Sequence, residues 1–525
     1  MRDELAPVMA SDGSGLPHEL WRGLKVEDVE KLLAALEIPP RSPVLHTLFR
    51  RLVTSDVPPP AGGVSDPRFT ALRIEALDRS GLVDEAANVL AKEPSTAADP
   101  VLGLLGARTA IARGNGDDGC RDALQPAPAP AALPGSLKGQ AILIKAYCAA
   151  ASGNREAAQL QAALAREDSS IAASPGLDAI DAVAAGVKPA IAKGQKVGLI
   201  DWRILQLSGP VDVSDLIGSA SPGLLAVISR DESTDPTLRL AAAEAAARFN
   251  AISPANLAEA YRGFAGGAAP AEGDEAATGA VRRAALFQSA DAERTPLKKA
   301  RLIRSFLDDT RRSGLYWPAL QMIAPAATAI PRIPEIGWFA ETAIETALSS
   351  GDYAGARSWA EFANTLDAPG GAGRTSYAHW LALADIADPA LTEGRSRHLA
   401  ALEDQAARGR MNSDLLHRLA TVLDALEIQV PIPLWEMASR TPQPETGHLP
   451  ATGVLSELSD AAKKKEFGHT VLLAMQALGP NGAEGAHMIS LGDSIRALRR
   501  GGLESAARQL ALEALFAGWP RALGS

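Results

Sequence analysis

The chain has 525 residues, 46 % hydrophobic but only 4 % aromatic, and a formal net charge of −10. That length buries several cores or one long one, and the apolar total comes mainly from Ala and Leu, which favour helix and close helix approach. The acidic balance, with a sequence pI near 5.5, repels phosphate backbones and argues against a nucleic-acid partner.

In chain order, the opening MRDELAPVMASDG has no apolar signal-peptide core, and the closing LGS has the look of a cloning scar. Two expectations stand: a mature exported domain whose targeting segment has been removed, or a cytoplasmic protein. No stretch approaches the ~20 apolar residues that span a bilayer. In SPVLHTLFRRLV, Ser42-Pro43 supplies a cap and a first-turn proline, and His46 reads as a packing residue. The Pro/Gly-rich VPPPAGGVSDP closes this segment and GLVDEAANVL opens the next.

GNGDDG, residues 114–119, matches the letters of a dinucleotide loop. It follows a helical stretch rather than a strand, and it carries two acids where a phosphate would sit, so it reads as a turn. Cys120 and Cys148 are the only cysteines. Neighbouring antiparallel helices would bring them within bonding distance; the other reading is two small buried hydrophobes. GQKVGLIDWRILQL, residues 194–207, is the nearest approach to a strand and reads as helix. Asp235-Pro236 and Ser253-Pro254 are two further capped starts. Helices of about 10–18 residues joined by short turns indicate antiparallel hairpins. The fold class is therefore all-α. Its expected segments are 1–56, 67–265, 280–440 and 450–525, with Pro/Gly-rich connections between.

Residues 316–380 hold four of the eight tryptophans, Trp317, Trp338, Trp359 and Trp380, and three of the five tyrosines. Arg357 and Arg374 lie among them. Aromatics with arginine make binding hot spots, so the candidate partner-binding residues are Tyr316, Trp338, Tyr353, Arg357, Arg374, Tyr377 and Trp380. The competing reading is core: Trp359, Phe362 and Leu366 share a helical face with Ala356. Further on, Lys463-Lys464-Lys465 reads as a solvated face. Ser494 in LGDSIRAL echoes an esterase block but falls within a helix, without the strand-to-helix turn that chemistry needs. Glu504-Ser505 echoes a lytic transglycosylase but lies inside a hairpin. The eight histidines form no H-x3-H or Cys/His cluster, so no metal, cofactor or catalytic residue is expected.

The spacing Gly-x4-Ala recurs at turns: Gly81/Ala86, Gly153/Ala158, Gly351/Ala356 and Gly502/Ala507. Gly supplies a left-handed helix end, and Ala lets the second helix cross closely. This resembles the second half of a tetratricopeptide repeat. The family's first-helix Trp, Leu-Gly and Tyr positions are not reproduced in order, and the units are not in strict tandem. The interval from Gly81 to Gly153 suits one unmarked hairpin. The resemblance implies an irregular superhelix of stacked hairpins that binds a protein partner. LLAALEIPPRSPVLHTLFRRLV, DPTLRLAAAEAAA and IRALRRGGLESAARQLALEAL together are similar in style to Ala-rich envelope-integrity proteins of alphaproteobacteria. That likeness implies a non-enzymatic scaffold or adaptor in the bacterial envelope, placed in the periplasm. The alternatives are a helical accessory module of a peptidoglycan- or lipid-handling system, or a cytosolic adaptor.

Overall fold

A computed structural model describes residues 19–63, 67–93, 99–124, 133, 135–167, 174–189, 191, 194–212, 214–266, 275–366, 377–391 and 398–521. Among these residues the protein is all-α. It has 27 α-helices and no strand, with two isolated bridges at Lys25–Ala61 and His448–Ala486. No helix among them is long and apolar enough to cross a membrane.

The expected helix starts are built as their chemistry dictates. Ser42 Oγ accepts from Leu45 N, Asp235 from Thr237 and Leu238 N, and Ser253 from Asn256 N, each with proline in the first turn. The 194–207 stretch contains the helix Leu199–Gln206, whose Asp201 side chain receives the Gly198 amide.

One turn is used again and again. At Gly351 (φ 78°) the amide bonds to Leu348 O and the next amide, Asp352, to Ala347 O. This is a Schellman turn. The same pair of bonds closes helices at Gly81, Gly114, Gly153, Gly314, Lys465 and Gly502. Each of these turn residues has φ > 0. At these seven turns the fifth residue on is small and buried: Ala86, Gly119, Ala158, Ala319, Ala356, Thr470 and Ala507; the same bonds at Gly186, Asn250, Gly409 and Glu427 lead instead to Ile191, Ala255, Asp414 and Ile432, none of them buried. Gly119 marks the tightest crossing, because a Cβ there would stand 2.6 Å from Ile111 Cγ1 and 2.7 Å from the Ala107 carbonyl. GNGDDG is thus the turn of the unmarked hairpin, joining Pro100–Ala112 to Gly116–Leu124.

The chain divides into two compact units, 62–284 and a discontinuous one of 1–61 with 285–525. In the first, hairpins from Arg68–Arg79 to Arg155–Glu167 follow one another. Cys120 and Cys148 are bonded there, with Cα atoms 5.5 Å apart, tying Gly116–Leu124 to Gly135–Ala151. Glu244 is buried in this unit against Arg283 and accepts the Tyr261 hydroxyl at 2.7 Å.

In the second unit the N-terminal segment packs on C-terminal helices. Leu20 and Trp21 are buried, and Leu20 O accepts from Gly468 N at 2.9 Å. Glu513, buried in the helix Glu504–Phe516, accepts from Ser42 Oγ at 2.5 Å and Val44 N at 2.8 Å. It caps the helix Pro43–Thr54 from the far end of the chain.

Candidate functional site

The aromatic segment begins on the helix Tyr316–Thr328, runs through the 3-10 helix Pro334–Phe339 and the hairpin Ala340–Ser349/Tyr353–Leu366, and ends on Ala378–Ala387. Packing within it follows the apolar faces. Trp359 meets Phe339 and Phe362 edge-on, with centroids 6.2 and 5.8 Å apart. Trp380 is 1 % exposed and lies 6.4 Å from Trp519. His379 stacks on Trp519 and bonds the Pro520 carbonyl at 2.9 Å. Trp317 meets Phe516 at 5.0 Å in a T-shaped contact. Much of the segment therefore gathers around the C-terminal Trp519, and Trp380 and Trp359 are core. The indole N–H groups of Trp317, Trp380 and Trp519 are buried without a hydrogen-bond partner.

Tyr316 is half-buried. Its hydroxyl donates to Glu345 Oε2 at 2.5 Å and accepts from Arg311 Nη2 at 2.6 Å, with the Arg311 guanidinium 4.2 Å from the ring centroid. Arg521 Nε donates to the other Glu345 oxygen at 2.7 Å. Burial, and then the Glu345 charge, hold the Tyr316 hydroxyl far above its ordinary range. It stays protonated, and it serves to fix a buried carboxylate. Tyr353 is half-buried, and burial raises its hydroxyl also.

Arg357 donates from Nε to Asp385 at 3.1 Å and from Nη1 to Asp388 at 2.8 Å. Asp385 also holds His398 Nδ1 at 2.9 Å. Arg357 is thus committed to two carboxylates of the next helix and its end, which the sequence reading did not foresee. The Tyr377 amide donates to Asn364 Oδ1 at 2.9 Å. Arg374 lies outside the described residues. Of the six expected residues that the structure describes, Trp338 is the one that presents a large apolar face to solvent: it is 39 % exposed, with the Arg304 guanidinium 5.8 Å from its centroid.

Sequence reasoning passed over Arg304, Arg332 and Ile333. The signal was present in PLKKARLIRSF and in PRIPEIGW, where cations and apolar residues sit just outside the aromatic list.

Two residues that echo enzymes lie within helices. Ser494 is buried within the helix Met488–Gly501. Glu504 is paired with Arg499 at 2.9 Å and Arg508 at 2.7 Å. Among the described residues no group of three His, Cys, Asp or Glu side chains could hold a metal ion. A cavity of about 330 Å³ in the 62–284 unit is lined by Lys188, Leu205, Ser208 and Leu216 among others. No protein family, curated protein or solved structure matches the chain.

Proposed function

We propose that this chain is a non-enzymatic scaffold that binds a protein partner on a surface built from tetratricopeptide-like hairpins. The observation that carries the reading is the recurrence of one turn, a left-handed residue followed five positions later by a small buried residue, at Gly81, Gly114, Gly153, Gly314, Gly351, Lys465 and Gly502. Such hairpins stack without a deep cleft and leave helix faces for another chain. The exposed indole of Trp338, flanked by Arg304, is the anchor of that surface, because Trp and Arg dominate binding energies where they are presented together.

We place the protein in an oxidising compartment such as the periplasm. The Cys120–Cys148 bond supports this, since disulfides persist there and are rare where thiols are kept reduced.

The test is photo-cross-linking in cells, with benzoylphenylalanine at position 338 and, as control, at exposed position 436. A discrete cross-linked protein from 338 alone is expected. No protein adduct at 338, or the same adducts from 436, refutes the reading.

A further inference from the structure

Past the run of hairpins that ends with Arg155–Glu167, two connecting segments of the 62–284 unit form the cavity of about 330 Å³. That volume is at the small end of the ~300–1,000 Å³ typical of ligand pockets. One wall is the segment after the helix Pro175–Ala184, with Lys188, Pro189 and Ile191. The other is the end of the helix Leu199–Gln206 and the segment that follows it, from Ser208 to Leu216. Leu205 and Leu216 are 1 % and 3 % exposed, whereas Lys188, Asp212 and Asp215 are exposed. The floor is therefore apolar and the charges stand at the mouth, a cation from one wall and two carboxylates from the other. The side chains of Lys188 and Asp215 have no ion pair or hydrogen bond among the described residues. Asp212 Oδ1 accepts from the Ser214 hydroxyl and from the Ser214 amide at 3.0 Å. Those bonds, the hydroxyl's first, hold the Asp212 carboxyl below its ordinary range and leave its other oxygen open. Ser208 lines the cavity too, and its Oγ is buried without a hydrogen-bond partner; a buried hydroxyl in that state calls for a water or a ligand.

We propose that this cavity binds a free aliphatic α-amino acid of the size of valine or leucine, with its carboxylate on Lys188, its ammonium between Asp212 and Asp215, and its branched side chain on Leu205 and Leu216. A zwitterion is the ligand that satisfies both signs of charge at one mouth, and the apolar floor selects an aliphatic arm. Other small ligands fit less well. Two carboxylates repel a phosphate, and the described lining holds no aromatic ring on which a flat base would stack. A fatty acid would satisfy Lys188 but would face both carboxylates with nothing to offer them. The site goes beyond the scaffold reading and does not rest on the Trp338 surface.

The experiment is equilibrium dialysis of the full-length protein against radiolabelled leucine and valine, at up to about 1 mM, so that a Kd of that order still registers. Three unlabelled competitors follow: isocaproate, which is leucine without its ammonium; isoamylamine, which is leucine without its carboxylate; and phenylalanine. Lys188→Gln and Asp215→Asn are the test variants, both at exposed positions. Lys463→Gln is the control, since Lys463 is exposed in the other unit and pairs with exposed Asp460. Circular dichroism confirms that all three keep their helix content. The wild type should retain leucine or valine, and the three competitors should each displace it about tenfold less well than unlabelled leucine does. Affinity should fall by about tenfold or more in each test variant, at roughly 1.4 kcal/mol per decade, and hold in the control. The proposal is overturned by any of three results: no retention of either amino acid, equal competition by any of the three competitors, or unchanged binding in either test variant. Retention of leucyl dipeptides with the free amino acids left in solution assigns the cavity to peptide termini and also overturns it.

Discussion

Replacing Glu513 by Gln should change how stability depends on pH. Glu513 is buried and accepts two hydrogen bonds from the start of the helix Pro43–Thr54. Burial outweighs those bonds and lifts its carboxyl from 4.5 to about 7. A carboxyl raised in the folded state favours folding fully below pH 4.5, and that contribution drains away as pH climbs through 7. Between pH 5 and pH 8 the loss is about 2–3 kcal/mol. His46, on the helix that Glu513 caps, works the other way. Burial, helped by Arg50, lowers its imidazole from 6.5 to about 4, so its contribution is present above pH 6.5 and is lost as pH falls through 4. From pH 5 to pH 8 it returns about 2 kcal/mol. The two nearly cancel in the native chain. Gln keeps an acceptor for Val44 N and turns its amide towards Ser42, so Glu513→Gln removes only the titration. Its melting temperature, measured by calorimetry against wild type, should gain roughly 4–6 °C on wild type between pH 5 and pH 8. His46→Leu should show the opposite trend. Parallel melting profiles for wild type and Glu513→Gln would refute the assignment of an uncompensated buried acid.

Three further outcomes follow from the packing. Thiol titration of unreduced, denatured protein should find none free, and reduction should cost the 62–284 unit about 3 kcal/mol, since the bond closes a separation of 28 residues; two reactive thiols would contradict the bond. Arg357→Ala should lower the melting temperature, at a cost of about 2 kcal/mol, because it removes the guanidinium that bonds both Asp385 and Asp388; unchanged melting would show the pairs to be idle. Gly119→Ala should cost about 1–3 kcal/mol through overpacking, whereas a neutral result in urea unfolding would mean that the helices slide apart freely.

The all-α class was legible because its signals are local. A cap and a proline at Ser42, Asp235 and Ser253 act within one turn of helix, and the structure builds each of them. The hairpin turn was only partly legible. Its small residue is Gly at 119 and Thr at 470, and its left-handed residue is Lys at 465, so a search for Gly and Ala passed over both hairpins. Gly314/Ala319 was hidden by Pro318, which reads as a breaker but sits in the first helical turn, where a missing N–H costs nothing. The aromatic segment was visible as composition, but its burial was not. Trp380 is covered by Trp519 and Trp317 meets Phe516, contacts that no local pattern encodes. Arg357 read as an available cation because its partners lie a helix further along the chain.

The bond from Ser42 to Glu513 spans 471 positions, and this sets an order of events during synthesis. The stretch 62–284 forms a compact unit of its own, so its internal contacts come within reach as it emerges. Those of residues 19–61 do not, since Leu20, Ser42 and Val44 find their partners on helices made more than 400 residues later. At ~5–20 residues per second, those apolar faces wait roughly 25–90 s for a surface to cover them. Prior collapse of the intervening unit shortens the effective loop, so the entropic cost of closure grows only slowly with the chain between. The hazard is therefore one of timing. Until then the apolar faces of these helices are the part of the nascent chain most exposed to aggregation.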